Sequence, residues 1–289
     1  MTGLLFVDKP AGITSHDVVS TVRRAARTKR VGHAGTLDPF ATGLLVLAVG
    51  AGTRLLPYLA AEPKVYDATV RFGTETDTDD STGVEVRAAA PPRPESVTAA
   101  FVALTGNLLQ VPPAFSAKQV DGQRAYAVAR RGGAVELPAS PVTVHSWSLL
   151  AQRDDEIDVR ITCGGGTYVR ALARDLGRAT HSAAHCSALR RIGSGAARVH
   201  DAVSCASLTP GAIADGTVAL RGWLEFLEPM AVEVLGEDGL LALAHGRCVP
   251  ATQAGARAAL VHGAQVMAIA ERIDDAQWQP RVVLLGARD

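Results

Sequence analysis

No two cysteines in this sequence form a C-x-x-C pair; Cys163, Cys186, Cys205 and Cys248 lie scattered. That spacing argues against a thiolate zinc site and a disulfide framework, and it fits a reduced, cytoplasmic protein. No apolar run reaches the roughly 18 residues that a membrane-spanning helix needs, so no membrane partner is expected. The first ten residues, Met1 to Pro10, have neither a basic leader nor a long apolar stretch, and they are read as part of the fold rather than as a signal peptide. Neither a P-loop nor a GxGxxG turn occurs. Net charge is missing too, with 29 Lys+Arg against 29 Asp+Glu. A zero sum does not exclude nucleic acid, because phosphate binding depends on local basic surface. The charge is in fact segregated: residues 1–60 carry +4, 61–100 carry −4, 101–200 carry +5 and 201–289 carry −5.

What is present is ordinary globular material, 47% hydrophobic and 20% charged over 289 residues, room for one large domain or a large and a small one. Leu4-Leu5-Phe6-Val7, ended by Asp8-Lys9-Pro10, reads as a buried strand and a turn. Ser15 opens a helix as its cap, with Asp17 at the positive end and Val18, Val19 and Val22 as the apolar face. The helix runs into the basic stretch Arg23–Arg30. Val31–Phe40, with two glycines and a proline, reads as a loop. Leu44–Val49 reads as a buried segment and Val65–Phe72 as a strand, followed by an acidic, Thr-rich loop from Gly73 to Gly83. Pro94–Leu104 reads as a helix stopped by Gly106, and Val169–Leu176 as a helix ended by Gly177. Val142–Leu150 and Ile157–Cys163 read as strands joined at Asp154-Asp155. Hairpin-like pairs without a regular βαβ beat predict an α+β fold, with a mainly antiparallel mixed sheet flanked by helices. Residues 229–289, acidic and carrying short strand-like runs at Ala231–Leu235, Gln265–Ala270 and Val282–Leu285, predict a small β-rich C-terminal domain.

Asp38 stands between Leu37 and Pro39 in a glycine-containing loop after a basic helix. A carboxylate in such a place is by default a turn former bonded to its own backbone. Arg170 would by default make a surface ion pair. Tyr66 and Tyr168 would by default be half-buried core aromatics, and His33 a loop histidine.

Taken together, the stretches say more. Gly32-His33-Ala34-Gly35-Thr36-Leu37-Asp38-Pro39-Phe40-Ala41-Thr42-Gly43-Leu44-Leu45 resembles the catalytic motif of the bacterial tRNA pseudouridine-55 synthases of the TruB type. Four further stretches resemble that family's other motifs, in its order: Val7–Ser15; Lys64-Val65-Tyr66 with Gly73–Asp80; Pro112–Lys118; and Gly166–Arg170 through Gly177 with Leu189-Arg190-Arg191. The resemblance spans residues 3–195. Gly164-Gly165 departs from it, standing where the family often has a polar or basic residue. The resemblance implies a catalytic domain over 1–228, a PUA-like RNA-binding domain over 229–289, and isomerisation of uridine 55 in the tRNA T-loop. It implies no metal and no other cofactor, the tRNA T-stem-loop as partner, no obligatory protein partner, and action as a monomer. Asp38 would attack C1′ or stabilise positive charge there as the N1–C1′ bond breaks. Arg170 would keep that carboxylate ionised, and Tyr66 would stack on the base and manage the proton at C5. Asp80 would hold the arrangement, and His33 would refill the gap left by the extruded base. Lys9, Tyr168, Leu189 and Arg190 complete the implied substrate- and RNA-binding set, with Arg23–Arg30 and Arg190-Arg191 as phosphate contacts. Two other readings stay open on residue types. One is a glycoside hydrolase or nucleosidase pairing Asp38 with a carboxylate from Asp77–Asp80. The other is a non-catalytic RNA-binding or tRNA-folding protein.

Overall fold

The computed structural model describes residues 1–115, 119–120, 123–124 and 137–285. In chain order the elements are β1 (Gly3–Lys9), α1 (Ser15–Ala26), β2 (Val31–His33), β3 (Thr42–Val49), β4 (Lys64–Phe72), β5 (Thr74–Thr76), β6 (Glu85–Ala88), α2 (Pro94–Ala103) and β7 (Gly106–Gln110). The two-residue strands β8 (Gln119–Val120) and β9 (Gln123–Arg124) follow, then β10 (Ser140–Gln152), β11 (Glu156–Cys163), α3 (Val169–Ala179), β12 (Ala184–Ser194), β13 (Ala197–Arg198) and β14 (Val203–Ser204). The last elements are β15 (Ala231–Val234), α4 (Glu237–Ala244), β16 (Val249–Pro250), β17 (Arg257–His262), β18 (Gln265–Asp274) and β19 (Gln277–Val283). No helix among the described residues is long and apolar enough to cross a membrane.

The chain divides into two compact units, the first made of Met1–Pro39, Gly43–Ala61 and the chain from Ser194 onward. Its centre is β1 paired antiparallel with β3, which also carries β2; β14 adds in parallel to the other side of β1. Both faces of the β1–β3 pair are covered, so both strands read in sequence as unbroken apolar runs. Leu5, Val7, Leu45, Leu47 and Val49 point to one face, packed by Val18, Val19 and Val22 of α1 and by Leu208, Ile213 and Val218. Leu4, Phe6, Leu44 and Val46 point to the other, where they meet Trp223 and Phe226 and the C-terminal residues Ala259, Val261, Val266 and Ile269. Those last residues belong to a five-stranded sheet of order β15-β17-β18-β19-β16, antiparallel except for β15–β17.

Three details of this unit differ from the sequence reading. The cap of α1 is Thr14: its Oγ1 accepts from Asp17 N–H at 3.1 Å, while the Asp17 carboxylate accepts from Thr14 N–H at 2.8 Å. The helix ends at Ala26, with Arg27 left-handed at φ 51° and its N–H returned to Arg23 and Arg24, so the basic run does not stay helical. Val31–His33 is also a short strand rather than loop, held against β3.

The second unit comprises Phe40–Thr42 and Glu62–Gly193. Its sheet runs β12-β4-β11-β10-β7, with β4, β11, β10 and β7 antiparallel in turn. Strand β4 alternates as expected, burying Tyr66, Ala68, Val70 and Phe72. Helix α3 packs on β4 and α2 packs on α3. Gly177 does not end α3, which continues to Ala179. A side chain there would stand 2.5 Å from Ala184 N, so this glycine lets the helix press onto the chain entering β12.

Candidate active site

The loop carrying Asp38 is held from both sides within the first unit. Upstream, Ser15 Oγ donates to Leu37 O and accepts from Leu37 N–H, both at 2.9 Å. Ser15 is therefore not spent on the helix cap; it fixes both backbone groups of the residue before Asp38, whose own side chain is buried. Downstream, Pro39 O accepts from Gly12 N–H at 2.8 Å and from Lys9 Nζ at 3.3 Å. Lys9 Nζ also donates to Pro10 O at 2.9 Å and Ile13 O at 2.8 Å, and its side chain is 0% exposed. Burial pushes the Lys9 ammonium below its usual range, while the charges of Cys205, Asp38 and Asp17 oppose that shift. Asp38 itself is half-buried. The result is a carboxylate on a backbone pinned at the residues before and after it, with a cation bonded beneath.

In the second unit Arg170 sits in the first turn of α3, 3% exposed. Its Nη1 donates to Thr78 O at 2.6 Å and lies 3.3 Å from Asp80 Oδ2; its Nη2 donates to Phe115 O at 3.0 Å. Asp80 Oδ1 in turn accepts from Thr78 Oγ1 (2.8 Å), Thr82 N–H (2.9 Å) and Thr82 Oγ1 (2.6 Å). Asp80 is thus brought to Arg170. Arg174 and Arg178 follow one and two turns later on the same helix face. Arg174 Nη1 meets Asp79 at 2.8 Å and Arg178 Nε meets Glu75 at 3.1 Å. The acidic loop after β4 is therefore a set of partners for one face of α3. Its carboxylates and these arginines were separately visible in sequence; the spacing Arg170, Arg174, Arg178 was the signal for their pairing.

Tyr66 lies near the start of β4 opposite Ile161, 7% exposed. Tyr168 is half-buried, and its backbone is held at both ends by Gln110, whose Oε1 accepts from Tyr168 N–H at 2.9 Å and whose Nε2 donates to Tyr168 O at 3.1 Å. Gln110 carried no sequence signal. Leu189 is 8% exposed on β12, and half-buried Arg190 reaches Thr42 Oγ1 at 3.5 Å. Arg191 is 1% exposed, so of this pair only Arg190 keeps access to solvent. Burial first, and then the Arg191 charge, depress the Lys64 ammonium. His33 is half-buried on β2 opposite Leu47. Gly164 and Gly165 leave room for Glu62, whose carboxylate a side chain at 165 would strike. Ser116, Ala117 and Lys118 of the third motif lie outside the described residues. Among the described residues no group of three His, Cys, Asp or Glu could hold a metal.

Residues 23–169 match the model of the TruB family pseudouridylate synthases, N-terminal domain. The tRNA pseudouridine synthase B of Thermobifida fusca (strain YX) is 43% identical, with 99% of each chain covered. The protein of the same name from Corynebacterium efficiens is 48% identical over 217 residues, 73% of each chain. Among solved structures, the archaeal box H/ACA sRNP Nop10–Cbf5 complex holds a chain similar in fold at a TM-score of 0.69 and 20% identity, over 97% of this chain and 85% of that one.

Proposed function

The chain belongs to the TruB family of pseudouridylate synthases, and from that premise we propose that it isomerises uridine 55 in the T-loop of tRNA to pseudouridine, with Asp38 as the catalytic carboxylate. The likeness to a tRNA pseudouridine synthase B over 99% of both chains supports the substrate. The clamped Asp38 loop is the observation that carries the chemistry. A group that must meet C1′ of an extruded nucleotide gains from a backbone that cannot drift, since small misplacements of a reacting group are costly. Ser15, Gly12 and Lys9 supply that rigidity. With no exposed surface and its ammonium on three carbonyls, Lys9 acts on the loop rather than on RNA phosphate.

In this reading Asp38 attacks C1′ or balances its developing positive charge while the N1–C1′ bond breaks. The freed uracil turns and rejoins through C5. Reactant and product are isomers, so the enzyme is an isomerase and the reaction calls for no redox partner. Asp80 keeps Arg170 in place. Tyr66 stacks on the base and its phenol manages the C5 proton. Extrusion costs a few kcal/mol on the order given for flipped bases, offset by His33 and Tyr168 stacking and by phosphate contacts from Arg190 and the Arg23–Arg30 run. The enzyme acts as a monomer in the cytoplasm. Residues 229–289 form a PUA-like RNA-binding domain. There Arg257 is engaged with Glu271 at 3.8 Å and lies over Tyr58, which leaves exposed Arg247 as the better phosphate contact.

The test is single-turnover incubation with a T-stem-loop transcript, followed by chemical mapping of pseudouridine. The expected result is modification at the position of uridine 55 by the wild type and none by Asp38→Asn, which still binds the RNA. Release of free uracil would show a glycosidase instead. Binding without modification by the wild type would show an RNA-binding protein.

A further inference from the structure

We propose that the buried Asp79–Arg174 pair is a positioning device that sets the geometry of Arg170, and through it the chemical step; this rests on the isomerase reading above. Arg170 and Arg174, one turn apart on α3, tie together the same two backbone segments. Arg170 joins Thr78 O to Phe115 O; Arg174 joins the Asp79 carboxylate to Val111 O, the latter at 2.8 Å. Arg174 Nε is further fixed by Asp175 at 2.9 Å. Both members of the pair are buried, Asp79 at 4% exposure and Arg174 at 6%.

Asp79 also joins Thr78 and Asp80, the two residues of this loop that hold Arg170. Its backbone is left-handed at φ 59°, a conformation that needs outside support in a non-glycine residue. Its backbone is held by Asp79 N–H, which donates to Thr76 O at 3.1 Å, and by Asp79 O, which accepts from Cys186 N–H at 3.0 Å; its side chain is held by Arg174. Release of Arg174 frees the loop at its strained residue, and Thr78 O and Asp80 then no longer fix the Arg170 guanidinium. Because Arg174 acts only through Arg170, it governs the rate of the chemical step and leaves RNA affinity unchanged.

Asp79 faces Arg174, Arg170 and Asp175 from α3 and Glu75 from β5. Burial pushes its carboxyl up to about 6, against the pull of the two arginines. The wild-type rate should therefore fall with acidification through that range, well before an exposed carboxylate would titrate.

The experiment compares wild type, Asp79→Asn and Arg174→Lys on a T-stem-loop transcript, from pH 5 to 8, by single-turnover rate and by RNA binding. At neutral pH the expected loss is roughly tenfold in rate for Asp79→Asn and less for Arg174→Lys, with binding within about twofold, the pattern of a misplaced reacting group. Asp79→Asn should also lose the wild-type decline near pH 6. Wild-type rates in both variants overturn the proposal. So does an unchanged acid limb in Asp79→Asn, or a rate loss matched by an equal loss of binding. Asp79→Asn keeps the side-chain volume and guards against a simple folding failure in the lysine variant. Absence of pseudouridine with the wild type would be a failure of the isomerase reading itself, separate from these outcomes.

Discussion

Ser15 shows how much one hydroxyl can decide. Placed one residue after the cap, it turns inward and satisfies both backbone groups of Leu37. Alanine there would leave a buried N–H and C=O without their partner, at about 1–3 kcal/mol, and would loosen the Asp38 loop. Ser15→Ala should therefore lower both the unfolding midpoint and the single-turnover rate; an unchanged rate would detach this brace from catalysis. Asp79 gives a second prediction, with a sign set by linkage. Its carboxyl is raised from 3.8 to about 6, so the folded state holds the proton more tightly than the unfolded chain. The stability it adds is full below pH 3.8 and is lost as pH rises through about 6. Urea melts of wild type and Asp79→Asn should thus diverge between these limits by on the order of 3 kcal/mol, the wild type losing ground as pH rises. Parallel curves would remove the raised pKa. Stability and rate then move in opposite directions through this window, which a purely structural ion pair would not produce. In sequence, Ser15 read as the helix cap and Lys9 as one of the implied RNA-binding residues; a hydroxyl next to a helix start reads as a cap, and nothing local distinguishes the one that bonds a loop 22 residues away.

At the scale of elements, α3 carries the most function for its length. One face presents arginines at every fourth position, and the helix packs on the chain entering β12 through a contact that needs Gly177. Gly177→Ala would gain roughly 1 kcal/mol in helix propensity, yet its methyl would stand 2.5 Å from Ala184 N and 2.8 Å from Ala183 C. Backbone on both sides cannot give as a flexible side chain could. Overpacking of this kind costs about 1–3 kcal/mol, so the net effect is destabilisation and a shift of Arg170 and Arg174 together. Urea unfolding and the single-turnover rate should both fall; a more stable Gly177→Ala would show that the helix has room to move. The strands and helices with clear period were legible from sequence: β1, β4, β11, α2, and the start of α3. The end of α3 was not, because glycine is both a helix stop and a spacer, and only the packing partner separates the two. The strand β17 and the helix α4 also went unread. Arg257–His262 is short and buried on both sides, and α4 offers little apolar periodicity, with Leu243 its one buried residue.

On the scale of the first unit as a whole, the C-terminal sheet does more than append a surface. The faces of β1 and β3 that carry Leu4, Phe6, Leu44 and Val46 are covered by Trp223, Phe226, Ala259, Val261, Val266 and Ile269. Arg54 adds a tie from the chain after β3, donating from Nη1 to Val283 O at 2.7 Å. The unbroken apolar runs of β1 and β3 announced in sequence that both faces are buried, but not what buries them, since an apolar face records that a partner exists and not which segment supplies it. Ending the chain at residue 228 would expose this face, on the strand that leads directly into the Lys9–Ser15 segment supporting Asp38. The truncated chain should therefore aggregate or unfold at lower urea, and lose turnover with its fold rather than through weaker RNA binding alone. A milder variant separates these effects. Ile269→Ala leaves every proposed catalytic group and every exposed arginine in place, and should cost about 2–5 kcal/mol as a core truncation. It should lower the urea midpoint while the rate and RNA affinity of the folded fraction stay at wild-type values. If a chain of residues 1–228 keeps the wild-type midpoint, the C-terminal sheet is a detachable RNA-binding module and its shared core contributes nothing to the catalytic strands.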